Sequence, residues 1–444
     1  MRPSQPALIK WLTPGLGIKR WLVLLMLGIT VLALGFAQAI VALYPGSDDL
    51  PLSLYILTLR FVPPWARIGV SVLGGLAVIV LSLYQLNRSI LAPFDAHNQE
   101  SLIDRVYAHS RRQRGIKLVA IGGGSGLPGV LRGMKRYTNQ ITAIVTMADD
   151  GGSSGRLRRE LGVLPPGDLR SNIAALANDE ALMTQLFQYR FAQGGLEGHS
   201  FGNLFLTALA DITGSMDRAV AETGRVLATQ GRVLPSTLQD DVTLMAEVRM
   251  PGETRLRRVT GESQIPESGG KIERVFLHPD QVRAYPEAVR AILNASFVVI
   301  GPGSLYTSIL PSLLVTGIIE ALRASRAYKV YVCNVATQAG ETDGYSVADH
   351  VLALEAHIGR GVFDAVLANN SYPSKNAGEH THYVIPAPET HTIFQRYHVH
   401  QADLTNEDQP WRHDANKLAQ ALLTLYQNAT QAGPSAQPET LAAG

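Results

Sequence analysis

Two long uncharged stretches dominate the start of the chain, and short apolar runs spaced by helical patterns fill most of the rest. Residues 21–43 carry no charge, and only Thr30 and Gln38 are clearly polar. A helix of that length can cross a hydrocarbon core of about 30 Å. A second uncharged run, 68–86, follows a segment broken by Pro45, Pro51, Pro63 and Pro64. Together the runs predict a two-helix transmembrane hairpin within residues 1–87. Trp21, Tyr44, Trp65 and Tyr84 stand near the span ends, where amphipathic rings favour the water interface. A cleaved signal sequence fits the first run less well, because its apolar stretch is typically only about 7 to 15 residues.

Lys10, Lys19 and Arg20 precede the first span, and Arg88, Arg105, Arg111, Arg112, Arg114 and Lys117 follow the second. The loop between holds Asp48, Asp49, Arg60 and Arg67. By the positive-inside rule, this places a two-pass protein in the plasma (inner) membrane with both ends in the cytosol. Residues 88–114 then read as a juxtamembrane linker or helix whose basic side chains rest on anionic headgroups.

From Lys117 the pattern changes to short apolar runs alternating with helical segments, the mark of a parallel sheet covered by helices. Strands are expected at 117–121, 141–147, 297–300, 329–333 and 365–367. Residues 241–248 and 256–259 alternate around Pro251 and Gly252 and predict an inserted β-hairpin. The fold class is therefore α/β, a Rossmann-like parallel sheet with an inserted β-hairpin over residues 115–428. Residues 429–444 lack apolar periodicity and are expected to be disordered.

Composition changes this picture little. Hydrophobic residues make up 46% of the chain, enough for a sizeable core, and 39 basic residues face 37 acidic ones. That balance creates no field of the kind a nucleic-acid binder carries, so nucleic acid is set aside as a partner. Cys333 is the only cysteine, which excludes an internal disulfide and predicts a buried thiol.

The candidate chemistry sits where strands meet glycines. The run 117–121 leads directly into Gly122, Gly123, Gly124, Ser125 and Gly126, and a helical pattern follows from Leu127 to Tyr137. Strand, glycine turn and helix in that order let backbone N–H groups approach a phosphate, although such turns also occur without a ligand. No Gly-Lys-Ser or Gly-Lys-Thr follows, so this is not a Walker loop. The next strand ends in Asp149, Asp150, Gly151, Gly152, Ser153, Ser154 and, after Gly155, Arg156. Two carboxylates, glycines, hydroxyls and a guanidinium on one loop suit ribose hydroxyls, a divalent metal or a phosphate, at the sheet edge where open α/β folds place ligands.

Asp168, Arg170 and Asn172 follow Pro165-Pro166-Gly167; Asp168 is a helix cap or a site group, and the other two point toward the same crevice. His199 and Asn203 stand at another helix start, where His199 is a base, a ligand contact or a structural histidine. Gly301, Gly303, Ser304 and Thr307 repeat the strand-to-glycine logic in the second half. Two phosphate-competent turns on one sheet favour a nucleotide diphosphate over a lone phosphate. Arg412 precedes a final amphipathic helix, 417–425, which Asp414 is placed to cap; its guanidinium suits diphosphate oxygens, or pairs with Glu407 or Asp408. His380, His382, His391, His398 and His400 lack a helical i, i+4 pair, so no structural zinc is expected among them.

Six ordered motifs together resemble the gluconeogenesis factor family of the YvcK type. They are Ile121-Gly-Gly-Gly-Ser-Gly-Leu127, Ala148-Asp-Asp-Gly-Gly-Ser-Ser-Gly-Arg-Leu157, Pro166-Gly-Asp168, Gly198-His-Ser200, Gly301-Pro-Gly-Ser-Leu-Tyr-Thr-Ser308 and Gly340-Glu-Thr-Asp-Gly-Tyr345. The resemblance spans residues 117–425. It implies a Rossmann-like fold, UDP-sugars such as UDP-N-acetylglucosamine as ligands, and a role in cell shape and envelope synthesis during gluconeogenic growth, with envelope-synthesis proteins as partners. The wider superfamily includes 2-phospho-L-lactate transferase, a nucleotide-dependent enzyme of coenzyme F420 synthesis. The membrane hairpin is an addition to the plain family pattern, and Ser125 stands where many members have threonine.

Two functions follow. One is a non-catalytic nucleotide-sugar sensor, favoured by the lack of an evident nucleophile and base pair. The other is a nucleotide-dependent transferase, favoured if Asp149 and Asp150 hold a divalent metal. An NAD-dependent oxidoreductase is a weaker third reading, because the turn lacks dinucleotide spacing. Homo-oligomerisation stays open.

Overall fold

The structure, a computed structural model, describes residues 18–43, 62–95, 112–113, 115–178, 180–374 and 382–431. Tyr44, most of the expected linker, His380 and residues 432–444 lie outside them. The chain divides into two compact units, Met1–Tyr107 and Ala108–Gly444.

The first unit contains α1 (Ile18–Leu43) and α2 (Pro64–Asp95). Within them, Lys19–Ile40 and Pro64–Arg88 are long and apolar enough to cross a membrane. Glycines bring the two helices together: a Cβ at Gly75 would lie 2.7 Å from the Leu32 nitrogen, and one at Gly28 would lie 2.9 Å from Ile79 Cγ1. Any side chain there would push the helices apart. The buried Ser71 hydroxyl donates to Gln38 Oε1 at 3.3 Å, so this polar residue of the first helix is used between the two helices. Val23, Met26, Phe36, Val70, Leu73 and Val80 are exposed on the outer faces. The second helix outlasts its apolar run and continues to Asp95, the helical form of the juxtamembrane stretch.

The second unit is built on a parallel seven-stranded sheet with strand order β10-β9-β8-β7-β1-β2-β3. Its strands are β1 (Leu118–Gly122), β2 (Ile141–Val145), β3 (Arg232–Pro235), β7 (Phe297–Ile300), β8 (Tyr328–Val332), β9 (Ala365–Asn369) and β10 (His398–Ala402). Between β3 and β7 the chain forms a separate antiparallel sheet, order β5-β4-β6, from β4 (Thr243–Arg249), β5 (Leu256–Thr260) and β6 (Lys271–His278). The expected hairpin is thus two of three strands.

The central strands are apolar throughout because both their faces are covered. Val119, Ile121, Ile144, Val298 and Ile300 point to one side, while Leu118, Ala120, Ala143, Val145 and Val299 point to the other. On the second side, α3 (Leu127–Met134) buries Leu127, Val130 and Leu131 against the sheet. The first side receives Leu244, Ala246 and Val248 of β4 and Ile272, Val275 and Leu277 of β6. Each such valine, leucine or isoleucine stabilises the fold by roughly 1.5 to 3 kcal/mol.

Further helices frame the carboxyl ends of the strands: α4 (Gly152–Leu161), α5 (Pro166–Leu176), α6 (Glu180–Gln188) and α7 (Phe201–Thr213). The chain closes on α8 (Ala415–Gln431), which reaches three residues into the stretch expected to be disordered. Asp414 caps it as expected, its Oδ1 accepting from the amides of Asn416 and Lys417 at 2.9 Å each. From β1 the chain steps one way to β2 and β3, then returns to β7 on the opposite side of β1. The order therefore reverses between β1 and β7, the kind of switch point that leaves a crevice at the carboxyl edge.

Candidate functional site

A cleft of about 320 Å³ opens at that edge, on the β2 side of the β1 turn. Gly124 and Ser125 supply one wall, the 149–154 loop and first turn of α4 the next, and Gly167, Asp168, Arg170 and Ser171 of α5 a third. Arg190 and Asn203 complete it. Its volume lies within the roughly 300 to 1,000 Å³ common for small-ligand sites.

Glycine makes the walls fit. Gly124 takes φ +63, a left-handed conformation that glycine adopts without strain. A Cβ at Gly167 would lie 2.4 Å from Ser154 Oγ and 3.1 Å from Asp149 Oδ2, so only glycine lets α5 start against α4. From that position Asp168 reaches back to the glycine turn, and Gly124 N–H donates to its Oδ2 at 2.8 Å. The amide that sequence reasoning offers to a phosphate is held by a carboxylate of the protein itself.

Asp149 accepts from Gly151 N–H at 2.9 Å and from the Ser154 hydroxyl. Asp150 accepts from Ser263 N–H at 3.0 Å, which ties the loop to the end of the small sheet. Glu262 is thereby brought beside Asp149, and its Oε2 is buried without a hydrogen-bond partner. Crowded carboxylates in a poorly solvated place bind protons more tightly. Burial, with Asp149 nearby, pushes Asp168 up to about 6; burial and the neighbouring carboxylates raise Glu262 well above the usual range.

Ser153 Oγ lies 3.0 Å from His199 Nδ1 and 3.1 Å from Asn203 Nδ2, which donates to it. A hydroxyl and a base thus do meet in space, 46 positions apart in sequence. Arg156 reaches over the segment before α7 and donates to Glu197 O at 2.8 Å, so its guanidinium fastens a loop and does not line the cleft. Asn172 is fully buried, and its Nδ2 donates to Asp168 O at 2.8 Å, a structural use.

The turn after β7 is different in kind. Gly303 N–H donates to Asn334 Oδ1 at 3.1 Å, and Asn334 Nδ2 returns a bond to Gly303 O at 2.8 Å. Ser304 Oγ donates to Gln338 at 2.5 Å, and Thr307 Oγ1 donates to Glu341 at 2.8 Å. Gly126 and Gly301 serve the junction of the two turns: a Cβ on Gly126 would lie 2.5 Å from Pro302 O, and Gly301 takes φ +75. Gly122, Gly123 and Gly126 likewise face protein and not the cleft. Arg412 is exposed and does not line the cleft either. Its neighbour His413 turns inward and donates Nε2–H to Cys333 O at 3.2 Å, and burial lowers its pKa to about 4. Cys333 is buried as expected, its thiol pushed up to about 12 by burial.

Sequence reasoning missed Glu262, Arg190 and the network of Asn334, Gln338 and Glu341. Glu341 lies in a quoted motif, and Gly261 before Glu262 takes φ +101, but Arg190 carries no local signal at all.

The family model described as 2-phospho-L-lactate transferase CofD matches residues 118–430. The chain belongs to the CofD family. Within it, the gluconeogenesis factor of Bacillus subtilis is 52% identical over 255 residues, covering 57% of this chain and 78% of that protein. A Nostoc sp. relative, named provisionally as a gluconeogenesis factor, is 48% identical over 428 residues, covering 94% of this chain and 92% of that one. A crystal structure of a UPF0052 family member from Bacillus halodurans is similar at TM-score 0.65 and 46% identity, covering 69% of this chain and 98% of that one.

Proposed function

We propose that this protein is a nucleotide-sugar-binding regulator of the gluconeogenesis-factor type, tethered to the plasma membrane by α1 and α2 with its cleft in the cytosol. UDP-N-acetylglucosamine is the ligand we assign, and control of envelope synthesis during gluconeogenic growth is the role, exerted through envelope-synthesis proteins at the membrane. The observation that carries this reading is the cleft at the carboxyl edge. It sets hydroxyls, amides and carboxylates that suit sugar and ribose hydroxyls beside two arginines that suit phosphates.

The half-buried Asp149, Asp168 and Glu262 favour a second reading, a nucleotide-dependent transferase in which such carboxylates hold a divalent cation. Their oxygens are the right chemistry for a hard cation. However, Asp149 and Asp168 are engaged by backbone amides, and no group of three or more His, Cys, Asp or Glu among the described residues is gathered to hold a metal ion.

Calorimetric titration of the detergent-solubilised full chain with UDP-N-acetylglucosamine, GDP and NAD, with product analysis in the same samples, tests both readings. Saturable binding of the UDP-sugar without turnover is the expected result. Turnover would replace the regulator with the transferase, and binding of GDP or NAD alone would remove the UDP-sugar.

A further inference from the structure

We infer that Arg170 and Arg190 form a clamp that takes the diphosphate of the ligand, in place of the glycine turn after β1. Both line the cleft, Arg170 from α5 and Arg190 from the segment between α6 and α7. Neither makes an ion pair among the described residues. Arg170 Nη2 donates to Ser171 Oγ at 3.2 Å, whereas its Nε is buried with no partner. Arg190 Nη1 donates to Gly198 O at 3.0 Å. A guanidinium carries five N–H donors, so both arrive at the cleft with most of them unused. A buried donor left unpaired costs free energy, and two like charges in one cavity repel; an anion between them relieves both.

Two further observations place the anion at this end. Gly124 N–H is already taken by Asp168, whose carboxyl, with that of Asp149, lines the cleft beside the glycine turn and disfavours a phosphate there. The same carboxylates accept hydroxyl donors well, so ribose or sugar belongs beside them. The arginine end is also held in shape. A Cβ on Gly202 would lie 2.8 Å from both Cγ and Cδ of Arg170 and 2.7 Å from the Phe187 ring, so this glycine makes room for the arginine stem. Arg190 sits on a short antiparallel loop, bridged to Ser200 and pinned where Arg156 donates to Glu197 O.

The clamp deepens the nucleotide-sugar reading and rests on it for everything beyond the phosphates, so its test uses two probes. The detergent-solubilised full chain is titrated with inorganic pyrophosphate and, separately, with UDP-N-acetylglucosamine, as wild type, Arg190→Ala and Arg170→Lys. Both probes are expected to lose about 10- to 100-fold in affinity in each variant, the worth of charge-assisted hydrogen bonds, and to become less salt-dependent. Arg190 is exposed, so its alanine variant keeps the fold and reports on binding alone. Arginine-dependent pyrophosphate binding without UDP-sugar binding would support the clamp and sink the nucleotide-sugar reading. UDP-sugar binding with equal affinity in all three proteins would sink the clamp and keep that reading. Binding of neither probe by wild type would sink both.

Discussion

The turns after β1 and β7 read alike in sequence, a buried strand running into glycines and a hydroxyl, yet they do opposite work. The first borders an open cleft whose remaining donors and acceptors face outward. The second is closed on itself, with the Gly303 backbone, Ser304 and Thr307 answered by Asn334, Gln338 and Glu341. Glycine in such a turn reports a close approach, and only the structure says whether the thing approached is a ligand or another loop. Here Gly126 and Gly303 report one turn packing on the other.

Changing Glu341 separates the two turns most sharply. Its carboxylate accepts from Thr307 Oγ1, Gln338 Nε2 and Tyr306 N–H, and Glu341→Ala leaves those buried donors unpaired. We expect a loss of about 3 to 4 kcal/mol of stability in denaturant melts. Ligand affinity of the folded fraction should be unchanged, and a large affinity loss at unaltered stability would place the β7 turn in the site.

Gly124→Val makes the complementary change on the β1 side. The side chain would enter the cleft wall, 3.1 Å from Ser308 Oγ at the Cβ alone, in a backbone conformation that valine resists. UDP-sugar affinity should fall by on the order of 100-fold, with a stability loss of only about 1 to 3 kcal/mol from the strained conformation. Undiminished binding in a folded Gly124→Val protein would detach the turn from the cleft.

Protons distinguish the regions less. Asp168 titrates near 6 in the folded chain against 3.8 for an ordinary aspartate, and Glu341 near 7 against 4.5. The folded state therefore binds more protons than the unfolded one in this range, and stability falls as pH rises from about 4 to 7. Asp168 contributes up to about 3 kcal/mol of that fall. Asp168→Asn, which keeps an acceptor for Gly124 N–H, should flatten the slope in melts taken from pH 4 to 8. An unchanged slope would mean Asp168 is ionised at little cost.

Arg412→Ala carries the smallest expected effect. Because the side chain is exposed and outside the cleft, affinity should stay within about two-fold, a few tenths of a kcal/mol. A loss near ten-fold would bring the C-terminal segment into the site.

How much the sequence revealed follows from which physical signal each feature leaves. β1, β2 and β7 were legible because both faces are buried, which makes the runs apolar but for Thr142. β10 was not, because its edge position leaves His398 and Gln401 exposed and breaks the pattern. β3 is only four residues and ends in proline. In the site, Asp149, Ser153, Ser154, Asp168 and Arg170 were legible as polar groups crowded at strand ends. Glu262 and Arg190 were not, since Glu262 is carried beside Asp149 from the end of the small sheet, and Arg190 reaches the cleft from a loop with no motif. Arg412 stands exposed outside the cleft, a placement that its position before a helix in the sequence does not reveal.

The cleft account stands or falls on where a phosphate-bearing ligand binds. The most direct measurement is calorimetric titration of UDP-N-acetylglucosamine into wild type, Arg190→Ala and Glu341→Gln full-length protein in parallel. The account predicts saturable binding to wild type, at least about ten-fold weaker binding to Arg190→Ala, and near wild-type affinity for Glu341→Gln. Full affinity in Arg190→Ala with lost affinity in Glu341→Gln would contradict it, moving the ligand from the β1 cleft to the β7 turn.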